Sequence, residues 1–255
     1  SSSLNMARAL EVPSSCSILI ISDSTLRTHT TSESGKPGPN QWLAKKKHTD
    51  MFHHIRDYHP YYLVTGKTIP GGTVHDIYNY LPSTQEAYDK YDCVIIVVNM
   101  NLDPSKKGSK VWQDDSDLGV DFMQLCIALR PYKRALIIGG GSGLIWNLPP
   151  REAERWHHMS FQMIGIANTV GVMATNGMRY YHLMIKASDG MHLAQEQATI
   201  DHIVEMLSDG INAMYAAKPA GSFATLQKLA AVAGSSASAG DLGGGASSGS
   251  LTEPS

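Results

Sequence analysis

Two short segments, far apart in the chain, carry side chains that could together perform nucleophilic chemistry. They are Ser22-Asp23-Ser24 and Asp189-Gly190-Met191-His192. A serine hydroxyl is weakly acidic, so it attacks a carbonyl carbon only when a base takes its proton and a third group orients that base. Ser24 is the candidate nucleophile. His192 is the candidate base, and Asp189, three residues earlier and on the same side of a turn, is the candidate orienting carboxylate.

The position of Ser24 supports this interpretation. Residues 17–21 read Ser-Ile-Leu-Ile-Ile, a short apolar run that is typical of a parallel strand buried on both faces. Ser24 would then follow the carboxyl end of a strand, where ligands bind in open α/β sheets. A purely structural interpretation stays open, because Asp and Ser are common turn residues. Asp189 could equally cap a helix that begins near Leu193, with His192 in its solvated first turn.

Strand-like apolar runs alternate with helix-length segments along the chain. This rhythm is typical of βαβ units and predicts an α/β fold with a doubly wound parallel sheet. The predicted strands lie near 17–22, 60–65, 92–98, 133–138 and 180–185. The predicted helices cover 50–58, 120–129 and 152–170. A last helix carries an apolar stripe made of Ile200, Ile203, Val204, Leu207, Ile211, Met214 and Tyr215, which should dock on the sheet.

Two further segments follow predicted strands and could supply hydrogen-bond donors at the same edge of the sheet. Pro70-Gly71-Gly72-Thr73 is a glycine turn that runs into a predicted helix, and Asn99-Met100-Asn101 follows the strand near 92–98. Acyl transfer passes through a tetrahedral oxyanion, which a glycine N–H and an asparagine amide can stabilise. Taken alone, each segment is also ordinary turn chemistry.

Taken in chain order, the four segments resemble the sequence blocks of the SGNH (GDSL-type) hydrolase superfamily of esterases and acyl hydrolases. Ser22-Asp23-Ser24-Thr25-Leu26 is similar to the first block, which carries the nucleophile. Asp189-Gly190-Met191-His192-Leu193 is similar to the last block, which supplies acid and base. The resemblance implies that the catalytic residues are Ser24, Asp189 and His192, and that the oxyanion hole is formed by Ser24, Gly71 and Asn101.

The resemblance also carries expectations about fold and substrate. It implies a three-layer α/β/α architecture with a five-stranded parallel, flavodoxin-like sheet. It further implies hydrolysis of small acyl or acetyl esters through an acyl-enzyme, with a small-molecule ester as substrate. No cofactor and no metal are expected.

Three positions depart from the pattern of the superfamily. Ser22 stands where glycine is usual before the Asp-Ser pair, Asn99 stands in place of a glycine, and Leu102 replaces an aspartate. These departures support an alternative in which the domain has weakened catalysis and binds a ligand or a partner protein. A third possibility, compatible with either, is that the chain is part of a larger polypeptide, because it does not begin with methionine and ends in a linker-like tail.

Composition limits the remaining classes of function. The chain has 255 residues, 42% of them hydrophobic, and a formal net charge of −2, which predicts one sizeable core and no broad nucleic-acid surface. Cys16, Cys93 and Cys126 are widely spaced in apolar surroundings, so we expect reduced core residues rather than disulfides or a zinc site. Oligomeric state is left open.

Changes in composition predict the boundaries of the folded region. We expect an N-terminal extension over residues 1–14, an SGNH hydrolase-like domain over 15–217, and a disordered Ala/Gly/Ser-rich tail or linker over 218–255. No apolar segment approaches the roughly 18 to 20 residues that span a bilayer. The default expectation is therefore a soluble, cytoplasmic protein, although a targeting segment could precede the sequence.

Overall fold

Five parallel strands form one sheet in the computed structural model, which describes residues 12–29, 48–98, 115–139, 150–187 and 192–217. A short antiparallel pair, β2 (Arg27–His29) and β3 (His48–Asp50), forms a second, separately hydrogen-bonded sheet. The strands of the sheet are β1 (Cys16–Ser22), β4 (Tyr62–Thr68), β5 (Cys93–Val98), β6 (Ala135–Gly139) and β7 (Met173–Asn176). Their order is β4-β1-β5-β6-β7, which matches the predicted flavodoxin-like arrangement. From β1 the chain first adds β4 on one side and then β5 on the other, so the order in which strands are added reverses at β1. Ligand crevices form at such switch points.

Helices cover both faces of the sheet. They are α1 (Ile55–Tyr58), α2 (Val74–Tyr80), α3 (Gln85–Asp89), α4 (Asp115–Leu129), α5 (Pro150–Val170), α6 (Met178–Tyr181) and α7 (Gln197–Ala216). Two 3₁₀ turns, Ser24–Leu26 and Phe52–His54, complete the described elements. The predicted three-layer α/β/α fold is confirmed.

The sheet is buried on both faces because alternate side chains of its central strands point into two separate cores. Ile18 and Ile20 of β1 pack in one cluster with the apolar stripe of α7, and all seven predicted stripe residues are buried there. Leu19 and Ile21 pack in the other cluster with residues from α2, α4 and α5. This double burial explains why the sequence of β1 is a continuous apolar run rather than an alternating one.

The position of the fifth strand was predicted wrongly. The predicted strand at 180–185 is helical at its start, since α6 ends at Tyr181, and the strand that pairs with β6 is β7, at Met173–Asn176. Tyr180, Tyr181 and Met184 are buried on one side, a spacing that suits a helical turn. The true strand lies at the sheet edge and is short and partly polar, so it lacks the apolar run that marks a buried strand.

The first predicted helix, over 50–58, is also shorter than expected. Asp50 pairs with Arg27 in the β2–β3 ladder, and the N–H of Met51 donates to the carbonyl of Leu26 at 3.0 Å. Helical structure begins only after these contacts, as a 3₁₀ turn followed by α1. The tertiary pairing with the segment after Ser24 therefore overrides the local preference for helix. The helices predicted at 120–129 and 152–170 are confirmed within the longer α4 and α5.

Cys16, Cys93 and Cys126 are buried and free, as predicted. Cys16 and Cys93 are neighbours, with their Sγ atoms 3.9 Å apart. Hydrogen bonding with Cys93 lowers the pKa of Cys16, whereas burial raises the pKa of Cys126 to about 12. Within the described ranges, no helix is both long and apolar enough to cross a membrane.

Replacing Gly66 by alanine should destabilise the fold. A Cβ on this β4 residue would lie 2.3 Å from the carbonyl oxygen of Ile20 and 2.9 Å from the ring of Phe52, so overpacking should cost about 1–3 kcal/mol. Gly165 in α5 is the matched control, because nothing lies within 4 Å of its Cβ position. Gly165→Ala should stabilise the helix by up to about 1 kcal/mol. Urea unfolding measures both, and equal effects of the two substitutions would contradict the packing at Gly66.

Candidate active site

The chain turns sharply directly after β1, and this turn carries Ser24. Asp23 begins the 3₁₀ turn as its N-cap, and its carboxylate accepts the N–H of Thr25 at 2.8 Å. The N–H of Asp23 donates to the carbonyl of Val97 in β5 at 3.1 Å. Ser24 is only 7% exposed, and Asp23 is almost fully buried. We call Asp23–Leu26 the nucleophile turn.

Ser22, which replaces the usual glycine, is accommodated as the last residue of β1. It is fully buried and pairs in register with Thr68 and Val97 on either side. Its hydroxyl oxygen accepts the N–H of Leu26 at 3.4 Å, so the extra side chain contributes a contact within the turn. The serine therefore belongs to the strand rather than to the turn itself.

Gly71 lies beyond the end of β4, the strand beside β1. It adopts a left-handed backbone conformation with φ of 67°, which glycine tolerates and other residues rarely do. Among the described residues its N–H has no hydrogen-bond partner, and nothing lies within 4 Å of where a Cβ would be. The predicted helix follows as α2, where Thr73 and Asp76 form a capping box. Gly71 thus offers an exposed donor at the same sheet edge as Ser24.

His192 lies next to an isolated antiparallel bridge rather than in a helix. Its carbonyl accepts the N–H of Ala187 at 2.9 Å, and Lys186 forms a bridge with Leu193. The helix α7 starts only at Gln197, with Glu196 as its N-cap residue, so the alternative in which a helix begins near Leu193 is wrong. The side chain of His192 is half-buried.

Residues next to Ser24 and next to His192 pack on the same face of the sheet. Leu26 of the nucleophile turn and Leu193, next to His192, belong to the same buried cluster as α7. Asn101 and Asp189 lie outside the described residues, so the oxyanion role of the first and the orienting role of the second stay predictions. The contact between Ser24 and His192 is likewise a prediction.

Asp50 is a polar residue at this edge that the sequence analysis did not single out. Its carboxylate accepts the hydroxyl of Thr68, the residue that pairs with Ser22 at the end of β4. Asp50 was assigned to a predicted helix, and only the pairing of β2 with β3 brings it here. The Asp50–Thr68 contact joins that pair to the sheet beside the nucleophile turn.

Two buried polar side chains close in sequence to the site lack hydrogen-bond partners in the described part of the chain. They are the hydroxyl of Thr25, which follows Ser24, and the amide of Gln195, three residues after His192. Burying such groups unpaired costs free energy, so each needs a compensating partner such as a bound water, an ion or a substrate group. No pattern in the sequence marks them, because burial decides their significance.

An open surface pocket lies on the segment that follows β3. It is lined by His53, His54, Arg56, Asp57 and Pro60, and Nδ1 of His54 lies 2.8 Å from the carboxylate of Asp57. None of the predicted catalytic residues is among these lining residues. We therefore do not assign the ester chemistry to this pocket.

Comparison with known proteins gives solved structures only, since no family model and no curated protein matches the chain. Axe2, an acetylxylan esterase from Geobacillus stearothermophilus, is 16% identical, with a TM-score of 0.54 over 77% of this chain and 94% of that one. LAE5, an α/β hydrolase from the metagenome of Lake Arreo in Spain, is 14% identical, with a TM-score of 0.53 over 78% of this chain and 96% of that one. The chain has the same three-layer α/β/α fold as these two proteins. The fold that the four sequence blocks imply is thereby confirmed.

Asp23→Ala should loosen the nucleophile turn, because it removes the side chain that accepts the N–H of Thr25. Loss of an N-cap costs roughly 0.5–2 kcal/mol, and Asp23→Asn, which keeps an acceptor oxygen, should lose much less. Urea unfolding of the two variants beside the wild type measures the difference. Equal stability of the alanine and asparagine variants would show that the Asp23–Thr25 bond does not hold the turn.

Proposed function

We propose that the chain is a serine esterase of the SGNH type that hydrolyses small acyl or acetyl esters. The observation that carries the proposal is the position of Ser24, which follows β1 at the switch point of the sheet. Asp23 fixes its turn, because the Asp23 carboxylate accepts the N–H of Thr25 and the Asp23 N–H donates to β5. A hydroxyl held there faces the crevice in which ligands of open α/β sheets bind.

The reaction begins with attack of the Ser24 hydroxyl oxygen on the ester carbonyl carbon, while His192 takes the proton. Asp189 stabilises the resulting imidazolium, and His192 then passes the proton to the leaving alkoxide. In the second half of the reaction, His192 takes a proton from water as the water attacks the acyl carbon, and then returns the proton to the Ser24 oxygen as the acid leaves. Three donors stabilise the oxyanion of each tetrahedral intermediate, namely the N–H groups of Ser24 and Gly71 and the side-chain amide of Asn101.

The exposed N–H of Gly71 supports this assignment. It lies beyond the strand next to β1, and a donor that bonds to nothing in the described residues is available for a charge that develops during the reaction. Because φ at Gly71 is positive, the direction of this N–H depends on glycine.

The structural relatives support the proposed triad and substrate class. Catalytic mutants of Axe2 replace a serine, an aspartate and a histidine by alanine, and the aspartate precedes the histidine by three residues. Asp189 and His192 have the same spacing. That protein is an acetylxylan esterase, which favours an acetyl group as the acyl part of the substrate proposed here.

Hydrolysis of 4-nitrophenyl acetate tests the proposal. Ser24→Ala should lower kcat by on the order of 10⁴ or more, as expected when a nucleophile of a triad is removed. Ser14→Ala, which changes an exposed serine outside the sheet, is the matched control and should retain full activity. Equal activity of the two variants would remove Ser24 from the mechanism.

Asn101→Ala should lower kcat about 10²- to 10³-fold, because it removes one oxyanion donor while leaving the nucleophile in place. KM for the same ester should change little, and so should the urea midpoint. An unchanged kcat would exclude Asn101 from the oxyanion hole.

The departures at Ser22, Asn99 and Leu102 favour a second candidate, a domain with weakened catalysis that binds an ester or a partner. The same measurements separate the two. A folded wild-type chain that hydrolyses no small acyl ester, yet binds one in a manner that His192→Ala weakens, would favour the binding domain.

A further inference from the structure

The outer edge of β4 presents unused backbone groups. Along a strand, the backbone N–H and C=O groups of successive residues point alternately to the two neighbouring strands. The N–H of Ile69 donates to the carbonyl of Ser22, so the backbone groups of Leu63, Thr65 and Lys67 also point toward β1. The backbone groups of Val64 and Gly66 therefore point away from β1. Within the described residues no strand lies beyond β4, and neither Val64 nor Gly66 makes another backbone bond.

The side chains along this edge are unusually apolar for an exposed strand. Tyr61 is 73% exposed and Leu63 is 65% exposed. Natural proteins protect open sheet edges with charges, proline or bulges. From Tyr61 to Thr68 the only charge is Lys67, and its ammonium group lies 4.9 Å from the ring centroid of Tyr80.

The unused backbone groups of β4 are arranged symmetrically, because Val64 and Gly66 lie on either side of Thr65. Leu63 lies in the first half of the strand and Lys67 in the second. An antiparallel pairing of two identical strands places the first half of each against the second half of the other.

We propose that a second copy of this chain pairs with the outer edge of β4, antiparallel, about a two-fold axis that passes between the two Thr65 residues. In this register Val64 bonds to Gly66 of the partner subunit, and Gly66 bonds to Val64 of the partner subunit. These two residue pairs use the outward N–H groups of Val64 and Gly66 in both subunits, four in all. The N–H of Tyr62 is not required, which is consistent with its bond to the carbonyl of His59.

The side-chain pairs of this register are favourable. Thr65 lies opposite Thr65 of the partner subunit, a cross-strand pair that stabilises sheets. Leu63 lies opposite Lys67 of the partner subunit, whose aliphatic stem can cover the leucine while its ammonium group stays at Tyr80. The joined sheet has ten strands, and because the two β1 strands run antiparallel, their carboxyl ends and the nucleophile turns that follow them lie at opposite ends of the strands.

Sedimentation velocity of the full chain over a wide concentration range tests the proposal. The wild type should show a reversible monomer–dimer equilibrium. Leu63→Lys should weaken dimerisation at least about tenfold, because it places like charges opposite each other twice per dimer. Leu63→Glu loses the same apolar side chain but faces Lys67 of the partner subunit, so it should dimerise more tightly than Leu63→Lys. Ile127→Lys is the matched control, since Ile127 is 51% exposed but lies on α4, and it should leave the equilibrium unchanged.

Circular dichroism and urea unfolding establish that each variant is folded, and Leu63→Glu controls for any general effect of a charge at this position. The proposal is overturned if the wild type stays monomeric at every concentration. It is equally overturned if Ile127→Lys abolishes the dimer, or if Leu63→Lys and Leu63→Glu weaken it to the same extent. None of these outcomes depends on the proposed esterase activity.

Discussion

Hydrogen bonds on both sides of β1 continue as far as Asp23, the residue before Ser24. They fix the position of Ser24, on which the rest of the proposed site depends. On one side Ile69 donates to the carbonyl of Ser22, and on the other side Asp23 donates to the carbonyl of Val97. The strand therefore cannot shift along its axis without breaking both ladders. A nucleophile needs positional accuracy, because a displacement of about 1 Å can cost on the order of 100-fold in rate. The sheet supplies that accuracy.

This constraint also explains the unusual burial of polar groups at the strand end. Ser22, Asp23 and Ser24 are all buried, and burying polar side chains costs free energy unless they are hydrogen-bonded. Asp23 offsets part of this cost by capping the turn, and Ser22 by accepting from Leu26. Asp23 and Ser22 therefore have structural reasons to be polar, and the proposed chemistry supplies one for Ser24.

The sequence alone predicts the central strands and α7 well, because continuous apolar runs and a helical stripe follow directly from burial on one or two faces. It fails where tertiary contacts decide. β7 is short and partly polar at the sheet edge, so nothing in its composition distinguishes it from a loop. Asp50 appears helical in sequence and becomes a strand residue only through pairing with Arg27. The turns at Ser24 and Gly71 were predictable from residue type, whereas the significance of Gln195 depends on burial that no pattern reveals.

The most direct measurement is labelling of the purified full chain with a fluorophosphonate, followed by peptide mapping of the adduct. This reagent reacts with a serine only when a base activates the hydroxyl. An activated nucleophile at the end of β1 predicts one adduct, on Ser24, that is lost when His192 is replaced by alanine in a folded protein. A folded wild-type chain without an adduct, or an adduct on Ser24 that persists in the His192→Ala variant, would contradict the proposed pairing of these two residues.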